Sequence, residues 1–256
     1  WFDDETPLQL VLECDGTSLM LQYDKTQRAW SLADVGTPLV DGIKLDGFVY
    51  DWLDLSVTGF AQAAEARAAL EHEWLKLSVL FEGDEEPRRA TLSAPRNGLV
   101  YAERAPGVFV TLDAQAVAAL AAADELRFLD EELIGLAPDD VTELSIAQGG
   151  DRWQLLHHSN RWTIVTGDAA RSTPRDITTL LEDVLPLNAV TYTAKAGEQE
   201  LAQFGLHEPH QVVTFTGVGG EMTTLLIGAP HDTTNRYAMC SGQPYVAVLT
   251  ADTLEA

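Results

Sequence analysis

Cysteine, basic residues and long apolar runs are all scarce in this chain. Only two cysteines occur, Cys14 and Cys240, so no disulfide framework can be read from spacing and the redox compartment stays open. Sixteen basic residues, four of them lysines, stand against forty acids and leave a net charge of −24. A phosphate backbone is repelled by such a field, and no basic stripe with interleaved aromatics offsets it, so nucleic acid is not an expected partner. Two readings of the acidic surface stay open: a solvated surface suited to a saline environment, and a surface that attracts cations or a basic partner. The longest uninterrupted apolar run, 116–123, is far short of the ~20 residues of a membrane-spanning helix. Any anchor is therefore expected outside this sequence.

Catalytic signatures are missing too. There is no Gly-x-Ser-x-Gly and no Walker-type Gly-Lys-Ser/Thr, and no Ser, His and Asp set assembles by spacing. His207-Glu208-Pro209-His210 comes nearest to a metal motif. A zinc-binding helix needs histidines at i and i+4, whereas a spacing of three interrupted by Pro209 reads as an exposed turn. His157 and His158 are neighbours on an expected strand and point to opposite faces. Gly217-Val218-Gly219-Gly220 lies between two expected strands and reads as a hairpin turn, since a phosphate loop runs from a strand into a helix. Among forty acids, pairs such as Glu85-Glu86, Glu131-Glu132 and Asp139-Asp140 arise by coincidence. No catalytic residue, metal or other cofactor is expected.

What the chain has is repetition. Residues 8–32 lie over 140–164 without a gap at a constant offset of 132, which sets Leu12 on Leu144, Cys14 on Ile146, Leu21 on Trp153 and Trp30 on Trp162. A second block, at offset 136, sets Leu77 on Val213, Val79 on Phe215, Tyr101 on Tyr237 and Phe109 on Tyr245. Two copies of one supersecondary unit are expected. Cys14, in the place of an isoleucine, reads as a small buried hydrophobe more readily than as half of a disulfide. Matched tryptophans read as shared core.

In the second copy, 141–147, 152–157 and 160–165 read as a small meander with a turn at Gln148-Gly149-Gly150-Asp151. Thr173 then caps a helix with Pro174 in its first turn and an apolar stripe of Ile177, Leu180, Leu181, Val184 and Leu185. Further strands follow to residue 249. The first copy repeats the plan, with Asp46 as cap and Val49, Trp52, Leu53 and Val57 as stripe. Residues 114–136 read as a helical connector. The expected fold is thus α+β: two tandem repeats, each a mostly antiparallel sheet backed by one principal amphipathic helix, divided as 1–137 and 138–256.

One series of segments resembles a known family. It comprises Leu133-Ile134-Gly135-Leu136-Ala137-Pro138-Asp139-Asp140-Val141-Thr142-Glu143-Leu144, Arg161-Trp162, the Pro174 helix, Phe204-Gly205-Leu206-His207-Glu208-Pro209, Ile227-Gly228-Ala229-Pro230 and Tyr245-Val246. The family is the bacterial domain of unknown function DUF4340. The resemblance covers the second copy and, more faintly, the first, where Glu71-His72-Glu73-Trp74 replaces the Gly-Leu-x-x-Pro segment. It implies an envelope protein with an N-terminal membrane anchor, encoded beside ABC-2-type permeases and gliding-motility-like auxiliary subunits. The expected function is therefore a non-enzymatic accessory module on the periplasmic or cell-envelope face. Its expected partner is a membrane permease or auxiliary subunit of an ABC-type system. The alternatives are a small-molecule or glycan binder using a cleft between the units, and an unrecognised hydrolase using acidic residues. For partner contact the expectation falls on the first copy's loop 33–44, four residues longer than its counterpart, with Pro38, Leu39, Val40, Ile43 and Lys44 as candidate residues.

Overall fold

The computed structural model describes residues 6–33, 40–158, 161–166, 187–197 and 199–250. The expected helix at 173–185 lies outside the described residues, as do Pro38 and Leu39. The chain divides into two compact units, the first reaching Phe128 and the second starting at Leu129.

Unit 1 contains β1 (Pro7–Cys14), β2 (Thr17–Asp24), β3 (Ala29–Leu32), α1 (Gly42–Leu53), β4 (Val57–Phe60), α2 (Ala63–Leu70), β5 (Glu73–Phe81), β6 (Arg88–Ser93), β7 (Leu99–Ala105), β8 (Val108–Asp113) and α3 (Ala114–Ala121). Its eight strands form one antiparallel sheet in the order β3-β2-β1-β5-β6-β7-β8-β4. Unit 2 contains β9 (Val141–Gln148), β10 (Asp151–His158), β11 (Arg161–Thr166), β12 (Thr191–Lys195), β13 (Gln211–Gly217), β14 (Met222–Pro230), β15 (Asn235–Cys240) and β16 (Tyr245–Thr250). Their order is β11-β10-β9-β13-β14-β15-β16-β12, which is the same order strand for strand.

Strand register shows how closely the copies agree and where the sequence overlay slips. The first hairpin of unit 1 turns at Asp15-Gly16, and that of unit 2 at Gly149-Gly150, all four residues having positive φ. Superposing the turns puts Leu10, not Leu12, at the place of Leu144, and Leu21 at the place of Leu155. The neighbouring strands agree, because Leu10 pairs with Val79 and Leu144 with Phe215. The overlay errs by two residues here, one full pleat, so apolar side chains still fell on apolar side chains. It regains the structural register at β3 and β11, where Trp30 pairs with Tyr23 and Trp162 with His157.

The expected α+β arrangement is overturned: the protein is mainly β, and among the described residues no single helix backs a sheet. Eight strands at ~4.8 Å spacing extend about 34 Å, while a twelve-residue helix such as α1 measures about 18 Å. One helix cannot cover such a sheet. The three α-helices among the described residues all belong to unit 1, and they serve different places. Helix α1 packs on β3 and α3, whereas α2 lies against β6, β7 and β8. The connector expected to be helical over 114–136 is α-helix only as far as Ala121. A 3₁₀ turn follows at Glu125–Phe128, and then Leu133 donates its backbone N–H to Leu187 and Ala189 donates to Glu131, so β-like pairing takes residues 131–133.

Both units bury side chains on two sheet faces at the same end. In unit 1 Tyr101 and Phe109 form a small cluster with Ala66 and Ala69 of α2. In unit 2 Met239 and Val246 form one with Ala196 and Leu206, and Tyr237 packs against it. The larger core of unit 2 gathers Val141, Leu144, Phe215, Leu225, Ile227, Ala238 and Leu249 on the other face.

Candidate partner-contact surface

Of the residues the sequence singled out, Val40 is half-buried, and Ile43 and Lys44 stand on the first turn of α1, not in a loop. The cap is Asp41, five residues before the expected Asp46. Its Oδ1 accepts N–H bonds from Ile43 (3.0 Å) and Lys44 (3.1 Å), satisfying two orphan donors of the first turn. Partial burial works to raise the Asp41 pKa, but the N–H bonds and the Lys44 ammonium, 3.4 Å away, outweigh it and hold the carboxyl below its usual range.

Starting the helix at Gly42 fixes which side of α1 is wet. Leu45, Phe48, Val49 and Trp52 face inward, and Phe48 meets Phe128 at 4.9 Å between ring centroids. Ile43, Gly47 and Tyr50 follow at i, i+4 and i+7 on the opposite side. Ile43 is 86% exposed and Tyr50 62% exposed. Asp46 and Asp51 flank this stripe, and Asp54 caps its C-terminal end, all three exposed. None of the three is in an ion pair among the described residues. Ile43 is among the residues expected from the sequence and Tyr50 is not, although the helical interval of seven between them is a signal the sequence carries.

The other candidates resolve into local structure. His207 and His210 are exposed in a turn, His210 meeting the Gln148 side-chain amide at 3.2 Å. His157 stacks on Trp162 at 4.8 Å, and Gly217-Val218-Gly219-Gly220 joins β13 to β14. Trp30 is buried whereas Trp162 is only half-buried. Among the described residues, no three or more His, Cys, Asp or Glu side chains are placed to hold a metal ion. Both cysteines are free thiols. Cys14 is half-buried at a strand end, at the position of Gln148 and not of Ile146, so it is not the buried hydrophobe the overlay expected. Cys240 is buried, donates to the Leu133 carbonyl at 3.0 Å, and has its pKa pushed up to about 12 by desolvation. Beside it Tyr192 donates to the Asp130 carbonyl at 2.7 Å, and burial also raises its pKa.

Two segments of the resemblance meet in space. Gly205 ends the 3₁₀ turn Leu201–Phe204 with φ +67°, and a Cβ there would lie 2.6 Å from the Ala229 amide nitrogen. A Cβ on Gly228 would overlap the Phe204 carbonyl oxygen. Phe204-Gly205 and Gly228-Ala229 are thus a backbone-to-backbone contact that holds the turn over β14, and no reactive group is involved. Unit 1 solves the same place differently: buried Ser93 accepts the Tyr101 N–H at 3.1 Å and donates to the Ala94 carbonyl at 3.0 Å.

Fold and surface define a mainly β protein that uses one eight-stranded topology twice and carries an exposed apolar helix face on the first copy. Residues 162–256 match the family model of the Domain of unknown function (DUF4340). No curated protein and no solved structure matches the chain. The matched stretch starts inside β11 and includes β12 to β16, but it leaves out β9 and β10, the strands that join β11 to β13.

Proposed function

We propose that this chain is a non-enzymatic interaction module of the cell envelope, an accessory part of an ABC-type export or motility-like system, held at the membrane by a segment outside the sequence. The observation that carries the reading is the outward face of α1, where Ile43 and Tyr50 stand in solvent on a helix whose inner face is fully packed. Large exposed side chains aligned on one rigid element mark a contact surface more than a reaction centre. The envelope context rests on the resemblance alone, through the genomic company that it implies. The partner is a membrane permease or its auxiliary subunit, and the contact residues are those at the start of α1, Val40, Ile43 and Lys44, with Pro38 and Leu39 ahead of them. The test is extraction of the protein from its native membranes in mild detergent. Co-elution with a permease or auxiliary subunit supports the reading, and elution alone across repeated preparations refutes it.

A further inference from the structure

Resting on that reading, we infer that the outer face of α1 docks a basic amphipathic segment of the partner, with apolar side chains over Ile43, Gly47 and Tyr50 and Lys or Arg side chains against Asp46, Asp51 and Asp54. Three observations converge on an occupant of this chemistry.

The first is the arrangement of the face. An apolar stripe lies between carboxylates that no cation of the described structure neutralises, and a complementary surface is apolar at its centre and basic at its rim. The second is electrostatic conflict within the helix. Asp51 and Asp54 stand at the C-terminal end of α1, where the helix dipole is negative, and the last turn has no basic residue. Acids there are unfavourable, and a cation brought by a partner relieves both charges together. The third is Gly47. It sits in the helix interior with no positive φ, and a Cβ built on it meets nothing within 4 Å. Neither its own backbone nor its own packing requires glycine, which lowers helix stability relative to alanine. A second backbone crossing close to α1 at this point would give it a use.

Charge also separates the possible occupants. An anionic lipid surface is repelled by the three carboxylates and by a net charge of −24, and a second copy of the chain would bring the same carboxylates against themselves. A basic polypeptide is attracted.

The experiment places a photo-reactive benzoylphenylalanine at position 50 of the protein in its native membranes, irradiates, and sequences the adduct by mass spectrometry. The expected adduct is a single segment of another protein in which Lys or Arg flanks apolar residues. Its yield should fall as salt is raised, since exposed charges are screened beyond about 8 Å at physiological ionic strength. It should fall about tenfold or more in Gly47→Leu and in the combined Asp46→Asn, Asp51→Asn and Asp54→Asn variant, both checked by circular dichroism to keep the native fold. Adducts only to lipid, to a second copy or to a neutral or acidic segment overturn the inference, and so does a yield indifferent to salt. Absence of an adduct while the partner still co-elutes overturns this site and leaves the proposed function standing. Absence of both removes the two together.

Discussion

Gly228 and Phe204 stand so close that a single methyl group on Gly228 would occupy the place of the Phe204 carbonyl oxygen. The obstacle is backbone, which cannot swing aside as a side chain can. Gly228→Ala should therefore destabilise unit 2 by about 1–3 kcal/mol, the usual range for overpacking a tight site. Chemical denaturation measures this directly, and an unchanged midpoint would show that the two segments do not touch.

Alkaline pH should weaken unit 2. Burial raises the Cys240 pKa from 9.0 to about 12 and raises that of Tyr192 as well, so the folded state keeps protons that the unfolded chain releases. With fewer protons bound in the unfolded state, stability falls as pH rises above about 9 and is unaffected by these groups below it. Urea midpoints at a series of pH values should decline through that window, and the decline should be shallower in Cys240→Ala and Tyr192→Phe. Parallel curves for wild type and both variants would refute the assignment.

The stretch that matches the family model should not fold by itself. Without β9 and β10, β11 loses its neighbour and β13 loses the strand that pairs along Gln211–Gly217. A fragment of residues 162–256 should show no cooperative unfolding transition, whereas one of residues 129–256 should show one. Equal cooperativity in the two fragments would mean that the sheet is not the folding unit.

Gly47→Ala should raise the stability of unit 1 by up to about 1 kcal/mol, the difference in helix propensity, because the added methyl enters open space. A destabilised variant would mean that Gly47 serves the fold, and the argument for a close-crossing partner would lose that support.

These outcomes depend on features that were unequally visible in the sequence. The hairpin at Gly149-Gly150 was legible because positive-φ residues between alternating runs have few other uses, and the Trp30 and Trp162 match was legible because large aromatics are rare enough to anchor an overlay. The two-residue slip at Leu10 and Leu144 was not, since a shift of one pleat leaves every apolar residue on the same face. Mainly β architecture was missed because the stripe of α1 suggests a sheet backed by one helix, whereas the width of eight strands, which one helix cannot cover, is not visible in the sequence; α2, alanine-rich and short, is recognisable only by what it covers, Tyr101 and Phe109. The contact face was half-legible. Ile43 was singled out as part of a loop, but assigning the cap to Asp46 in place of Asp41 removed the first turn of the helix and hid the alignment of Ile43 with Tyr50.

The measurement that tests the account most directly is the ratio of permease or auxiliary subunit to this chain after purification in mild detergent, for wild type and for Ile43→Asp with Tyr50→Ala. Both side chains are exposed, so the variant should keep its secondary structure and unfolding midpoint. The account predicts near-stoichiometric partner with wild type and about tenfold less with the variant. Equal recovery of partner with a folded variant would contradict the contact through α1, and none with wild type would contradict the proposed function itself.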